Sequence, residues 1–311
     1  MSRRIDPWRI LAVFAWPLFA VSLACVADRW WWPAEDLASF RVQIVLVALP
    51  VTSAYLLGRR WKTGAVGALG LALHAIALAP LAAGRLEPSG RGERLRLVLF
   101  NVHTENPGKE GVAAFLAGAD ADVVALLEID DAWVEALAGL RASHPYGPTG
   151  ARPDNFGIGL FGRRALADEQ FTYFGRSGVP SIVARMGRLT IVATHPLPPT
   201  NDENVASRDA QVAELARFVA SRDGPVVVLG DLNMTPWAPT FRRFLVDSGL
   251  RDSARGFGWQ PTWPAGTPQL WIPLDHVLVS SGVAVVDRTV GEAHGSDHYP
   301  VTVDLEVTSG D

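Results

Sequence analysis

The chain has 311 residues, 49% of them apolar, with a formal charge of −4 and one cysteine. A mean hydropathy of +0.16 excludes an ordinary soluble domain and the length excludes a bare helical bundle, so two unlike parts are expected. Cys25 stands alone, so no internal disulfide is possible.

The charge is unevenly spread. Residues 1–90 hold nine Lys and Arg against five Asp and Glu, and the remainder 19 against 27. An acidic C-terminal part argues against nonspecific nucleic-acid binding, which uses a Lys/Arg face to displace counterions. Only two lysines, Lys62 and Lys109, occur beside abundant Arg, Ala, Gly and Pro, a bias that fits a GC-rich bacterial source.

Residues 1–83 are expected to form a membrane domain of three transmembrane helices, at about 8–27, 40–57 and 64–83, each near the ~20 residues needed to cross a bilayer core. The middle stretch is the shortest, with Arg41 and Gln43 at its start and Pro50 at its centre. Arg3, Arg4 and Arg9 precede the first span, and Arg59, Arg60 and Lys62 separate the second from the third. Positive charge is retained in the cytoplasm. The N-terminus is therefore read as cytoplasmic, and the loop with Asp28, Glu35, Asp36 and Trp30 to Trp32 as outside, with an aromatic belt. Three crossings would place the rest of the chain on the extracytoplasmic side of a bacterial cell membrane. His74 reads as a neutral histidine bonded within the bundle, and Gly64, Gly67 and Gly70 as a helix-packing surface.

Residues 84–94, with Pro88, Ser89, Gly90 and Gly92, break the apolar pattern and read as a linker. Residues 95–307 form the second domain and 308–311 a tail. Within it, short apolar runs end on polar groups: 95–100 before Asn101, 122–127 before Glu128, 189–194 before His195, and 225–229 before Gly230-Asp231. A further strand starts at Asp275, and a helix is expected over 111–117. An Asn or Asp after a strand is usually a turn former or cap, but a Glu ending a core strand is costly unless exposed or coordinated. Repetition of this pattern should gather Asn, Glu, His and Asp at one edge of a sheet sandwich.

In this order the segments Phe100-Asn101-Val102, Leu127-Glu128, Gly230-Asp231-Leu232-Asn233 and Ser296-Asp297-His298 resemble the endonuclease/exonuclease/phosphatase superfamily, the DNase I-like fold. Asp275, in Leu274-Asp275-His276, matches the acid that orients the terminal histidine, and His195, in Thr194-His195-Pro196, the DNase-type histidine. The resemblance implies an α/β (α+β) four-layer sandwich of two mixed β-sheets flanked by helices, here preceded by three transmembrane helices. It also implies Asn101, Glu128 and Asp297 as metal ligands and His195, Asp231, Asn233, Asp275 and His298 as catalytic residues. An all-oxygen ligand set suits Mg²⁺ or Mn²⁺. One departure is Gly162-Arg163, where the family commonly has serine and arginine.

The three-span arrangement is similar to a membrane-anchored branch, the VanJ-like teicoplanin-resistance proteins, associated with dephosphorylating a polyprenyl pyrophosphate carrier. A divalent-metal-dependent phosphoester hydrolase is therefore expected, with the lipid bilayer and a phosphorylated lipid as its partners. Nucleic acid is less favoured as substrate, because no basic, aromatic insertion resembles a duplex-binding loop, and no protein partner is inferred. An extracytoplasmic nuclease and a sphingomyelinase-like phosphodiesterase are the alternatives. Trp237, Trp259, Trp263 and Trp271 are candidates for an apolar rim of the site.

Overall fold

The computed structural model describes residues 6–85 and 88–308. Arg3 and Arg4, part of the charge pattern that sets orientation, lie outside the described residues, as do residues 309–311. The chain separates into two compact units, one up to Pro80 together with Trp237–Pro239, the other Leu81–Pro236 and the chain from Thr240 onward.

The first unit is helical. Helix α1 (Pro7–Ala24) starts at Asp6, whose side chain accepts a hydrogen bond from the Trp8 amide, and continues into a 3-10 turn at Cys25–Arg29. A short α2 (Trp32–Ser39) bends by 68° at Phe40 into α3 (Arg41–Leu57), and α4 (Trp61–Ala82) follows. α1 with its 3-10 extension and α4 are each long and apolar enough to cross a membrane. The bent α2–α3 pair meets that test only as one span. α3 covers the expected middle stretch as one helix, but its 17 residues, about 25 Å, are short for a crossing without the α2 segment before the bend.

The bend coincides with a buried ionic cluster that the sequence pattern did not anticipate. Asp28, expected in the loop outside the membrane, is buried and paired with Arg41 at 2.9 Å. Arg41 also donates to the Cys25 carbonyl and approaches His74 Nδ1 at 3.3 Å, while His74 Nε2 lies 2.7 Å from Ser22 Oγ. Buried charge is costly in an apolar setting unless paired, and here each group has a polar partner. Gly67 is required by packing, since a Cβ there would stand 2.3 Å from Thr52 Oγ1 and 2.7 Å from the Phe19 ring.

The second unit holds two six-stranded sheets. In chain order its elements are β1 (Glu93–Asn101), α5 (Lys109–Gly118), β2 (Val123–Leu127), α6 (Asp131–Ala136), α7 (Leu140–Ser143), β3 (Thr149–Gly150), β4 (Ile158–Gly162), β5 (Ala167–Thr172), β6 (Ser181–Met186), β7 (Leu189–Thr194), α8 (Asp202–Ala220), β8 (Val226–Asp231), α9 (Pro239–Ser248), β9 (Arg251–Asp252), β10 (Asp275–Val279), β11 (Val283–Val290) and β12 (Val301–Val307). Strand order is β11-β12-β1-β2-β4-β3 in one sheet and β5-β6-β7-β8-β10-β9 in the other. Both are mixed, since β1 and β2 run parallel, as do β7 and β8, and the remaining pairs are antiparallel.

The near-continuous apolar runs follow from burial on both faces. Leu95, Leu97 and Leu99 of β1 and Val123, Ala125 and Leu127 of β2 share one core with Ile191, Ala193, Val227, Leu229, Val277 and Val279 of the other sheet. Alternate residues Val98, Phe100, Val124 and Leu126 pack instead with Val112 and Leu116 of α5 and with Trp133, Leu137 and Leu140 around α6 and α7. On the second sheet, Phe241 of α9 lies 4.5 Å from the His276 ring of β10. The result is the helix-flanked pair of mixed sheets expected above. β1 begins within the stretch read as linker, and the buried Glu306 of β12 accepts hydrogen bonds from Ser89 Oγ and the Gly90 amide just before it.

Candidate active site

Strand direction collects the polar ends. β1 and β2 are parallel with Asn101 opposite Leu127, so Asn101 and Glu128 leave the first sheet at the same edge. β7 and β8 do the same with His195 and Asp231, and antiparallel β10 begins there with Asp275 opposite Asp231. Asp297 and His298 lie just ahead of β12, which is antiparallel to β1 and so starts at that edge too. Gly230 is needed for this approach. A Cβ on it would stand 1.8 Å from the Thr194 carbonyl oxygen, directly before His195.

One network joins most of these groups. Asn101 Nδ2 donates to Glu128 Oε1 at 2.8 Å and to Asp231 Oδ2 at 3.3 Å. That same Asp231 oxygen is 3.6 Å from both His195 Nε2 and His298 Nε2. His298 Nδ1 meets Asp275 Oδ2 at 2.8 Å, and Asp231 Oδ1 accepts from the Asn233 amide at 2.9 Å. The Asn233 side chain turns away from Asp231 and donates to the Pro196 carbonyl at 2.9 Å. Glu128 and Asn233 have φ of 61° and 51°, left-handed backbone that is unfavourable for Glu and persists where surroundings enforce it.

Asp297 stands apart at the mouth. Among the described residues no hydrogen bond ties it to Asn101 or Glu128. Its side chain is 46% exposed and is reached by Trp263 Nε1 at 3.2 Å and by His103 Nδ1 at 3.8 Å. Ser296 Oγ fixes the same segment by donating to the Asn101 carbonyl at 2.8 Å.

The buried groups polarise one another. Burial alone would lower the His298 pKa, but Asp275 and Asp231 outweigh it and push the ring up to about 10, an imidazolium at neutral pH. Burial and the neighbouring Asp275 raise Asp231 to about 6, against the pull of His298 and of the Asn233 amide. His195 is lowered by burial, opposed by Glu128, and carries the Phe156 ring 5.2 Å away.

The residues fit a divalent cation. Glu128 Oε2 and Asp275 Oδ1 are buried acceptors without a hydrogen-bond partner, which is costly unless a cation or water meets them. Asn101 Oδ1 accepts from the His103 amide at 3.2 Å, so presenting that oxygen to a cation requires the amide to rotate and exchange this bond and those to Glu128 and Asp231 for the ion. Asp231, Asp275 and His298 form a second donor set, with one ligand atom from each within 4.8 Å of the others. The imidazolium at His298 competes with a cation there, which favours the side of Glu128.

His103 and the hydrogen bond from Trp263 to Asp297 were not foreseen. A histidine two residues after a strand-ending Asn was the available signal for the first. For the second the sequence carries no signal, since the contact depends on the path of a loop without a repeating pattern. Trp237 is 1% exposed and contributes to no rim, whereas Trp259, Trp263 and Trp271 are half-buried.

A profile of the Endonuclease/Exonuclease/phosphatase family matches residues 98–298, and the chain belongs to that family. Its members are phosphoester hydrolases that depend on a divalent metal. Among solved structures, the chain is similar to an endonuclease/exonuclease/phosphatase from Beutenbergia cavernae (19% identity, TM-score 0.56, covering 70% of this chain and 72% of that one). It is also similar to a 3′ phosphatase from Neisseria bound to a product DNA hairpin (20%, 0.59, 69% and 100%). Sphingomyelinase C from Streptomyces griseocarneus matches as well (18%, 0.51, 68% and 99%). These likenesses define the fold. No curated protein sequence matches the chain significantly.

Proposed function

We propose that this protein is a membrane-anchored, divalent-metal-dependent phosphoester hydrolase acting on a lipid-linked phosphate or pyrophosphate, such as a polyprenyl pyrophosphate. The observation that carries this reading is the joining, in one chain, of a phosphoester-hydrolase fold to two or three helices apolar enough to cross a membrane. A catalytic unit so tethered meets lipid headgroups at high effective concentration.

The side of the membrane turns on the bent α2–α3 pair. If it crosses, Arg59, Arg60 and Lys62 join Arg9 in the cytoplasm and the catalytic unit lies outside. If it is re-entrant, those three cations face outward and the catalytic unit lies inside. Retention of positive charge in the cytoplasm favours the crossing. Reporter fusions after Ala83 and after Val307 test it, and a cytoplasmic signal at either would overturn the outside placement.

In this reading Asn101, Glu128 and Asp297 hold Mg²⁺ or Mn²⁺, which when bound supplies charge stabilisation for the phosphoryl oxygens and the leaving group. Asp231 takes the proton of the attacking water, its raised pKa placing it closer to neutrality than a free carboxylate. Asn233, through its backbone amide, holds one Asp231 oxygen so that the other faces the site. The His298 imidazolium, charged by Asp275, and His195 donate hydrogen bonds to the nonbridging oxygens as charge develops there.

The relatives' names favour two other readings, a nuclease and a sphingomyelinase-like phosphodiesterase. Full-length protein in detergent with Mg²⁺ is given prenyl pyrophosphate, sphingomyelin and supercoiled plasmid in parallel, with Asp231→Ala as control. Asp231-dependent phosphate release without nicking is expected. Nicking without phosphate release, or release of a phosphorylated headgroup, would overturn the substrate assignment in favour of the corresponding alternative.

A further inference from the structure

The segment between β9 and β10 crosses the two stretches that bring Asp275, Asp297 and His298 into the site. Its anchor is Thr262, fully buried, whose Oγ1 accepts the backbone amides of both Leu274 and Asp275 at 3.0 Å. The Thr262 and Trp263 amides donate to the Ile272 carbonyl at 3.0 Å each, and the Ile272 amide returns to the Trp263 carbonyl at 2.6 Å. From this closed loop, hydrogen bonds run to the other stretch. The Ala265 amide donates to the Asp297 carbonyl at 2.6 Å and the Tyr299 amide to the Thr262 carbonyl at 2.8 Å, while the Gly266 amide reaches the Tyr299 hydroxyl at 3.2 Å.

A half-exposed carboxylate such as Asp297 keeps its rotamer freedom, and a ligand that must be ordered on binding weakens the site by that entropy. Trp263 removes the freedom from one side. Its indole N–H holds Asp297 Oδ2 at 3.2 Å, leaving Oδ1 on the side of His103, and its ring lies 6.5 Å from the His298 ring. An indole is a neutral donor, so it fixes the carboxylate without adding positive charge that would compete with a cation.

We propose that Trp263 is a positioning residue for the metal site: its indole N–H pre-orients Asp297 for the divalent ion, and the 262–266 strap couples that orientation to Asp275 and His298. This rests on the assignment of Asp297 as a metal ligand made above.

The test is Mn²⁺ alone, titrated calorimetrically into chelator-treated full-length protein in detergent. Four proteins are compared: wild type, Trp263→Phe, Asp297→Ala, and the chain with Trp263 replaced by β-(3-benzothienyl)alanine, which keeps the shape of the indole and lacks its N–H. Loss of an outer hydrogen bond to a ligand should raise the Mn²⁺ Kd by roughly 10- to 100-fold. That weakening is expected in both Trp263 variants, with the metal-free melting temperature of the benzothienyl protein unchanged and turnover restored at saturating Mn²⁺. Should Trp263→Phe fail to fold, the benzothienyl protein decides. Wild-type Mn²⁺ affinity in the benzothienyl protein, with weakened binding in Asp297→Ala, would overturn the role of Trp263 alone. Undiminished Mn²⁺ binding in Asp297→Ala would instead remove Asp297 from the ligand set, and the inference with it.

Discussion

The two sheets share a plan and differ in what stands at its end. Strands β12-β1-β2-β4 and β6-β7-β8-β10 each set a parallel pair between antiparallel neighbours, and each parallel pair points two side chains into the same site. The first sheet ends in Asn101, whose Nδ2 donates to Glu128, and in Glu128, whose Oε2 is left without a hydrogen-bond partner. The second ends in His195 and Asp231, with Asp275 and His298 beside them, groups whose pKa values are moved by burial and by one another. On the proposed reading, one backbone arrangement supports two chemistries, cation holding at one sheet edge and proton handling at the other. The strand geometry supplies position, and the polar residue at or just past each strand end supplies the functional group.

The sharpest break in this comparison is Asp231→Ala. Turnover should fall by about 10⁴-fold, the upper end of what loss of a general base costs, with Mn²⁺ affinity near that of the wild type. Steady-state rates and metal titration on the same preparation check it. Glu128→Ala should act from the opposite edge, raising the Mn²⁺ Kd by more than about 100-fold, beyond the range of losses around a ligand, with turnover partly regained in excess metal.

Asp275→Asn sharpens the second edge, because it removes the strongest partner of the His298 ring. Turnover should drop by roughly 10²-fold. The alkaline limb of the pH–rate profile, set in the wild type by an imidazolium held up to about 10, should move down toward the ordinary imidazole range. An unmoved limb would show that the limb belongs to another group.

The smallest effect concerns stability. Asp231 is raised from 3.8 to about 6 in the folded protein, so the native state binds the proton more tightly than the unfolded chain does. Stability then falls as pH rises from about 4 to about 6, and the cost is complete above that window. Asp231→Asn should remove it, at about 1–3 kcal/mol, raising the melting temperature of chelator-treated protein by a few degrees at pH 8. At pH 4, where the wild-type carboxyl is largely protonated, the two proteins should melt alike.

Much of this is legible in the sequence. Apolar runs ending in Asn101, Glu128, His195 and Asp231 mark core strands, because a buried strand keeps a polar residue only where the chain leaves the core. Asp275 and His298 are reached instead through the resemblance of the ordered motifs to the family. Position within the site was less accessible: the exposed setting of Asp297 and the grip of Trp263 on it depend on a loop with no repeating pattern. The bend at Phe40 was hidden for a related reason. It accompanies the pairing of Asp28 with Arg41, and an ion pair across 13 residues leaves no periodic trace. A lone tryptophan such as Trp237 likewise reads the same whether it packs inside or lines a rim.

The division of labour between the sheets is tested most directly by one double comparison. Mn²⁺ binding and Mn²⁺-dependent phosphate release are measured for Asp231→Ala and Glu128→Ala in full-length, detergent-solubilised protein. The account predicts that Asp231→Ala binds Mn²⁺ and does not turn over, while Glu128→Ala loses binding and regains part of its turnover in excess metal. Loss of Mn²⁺ binding in Asp231→Ala with retention in Glu128→Ala would contradict it and move the cation to the second sheet.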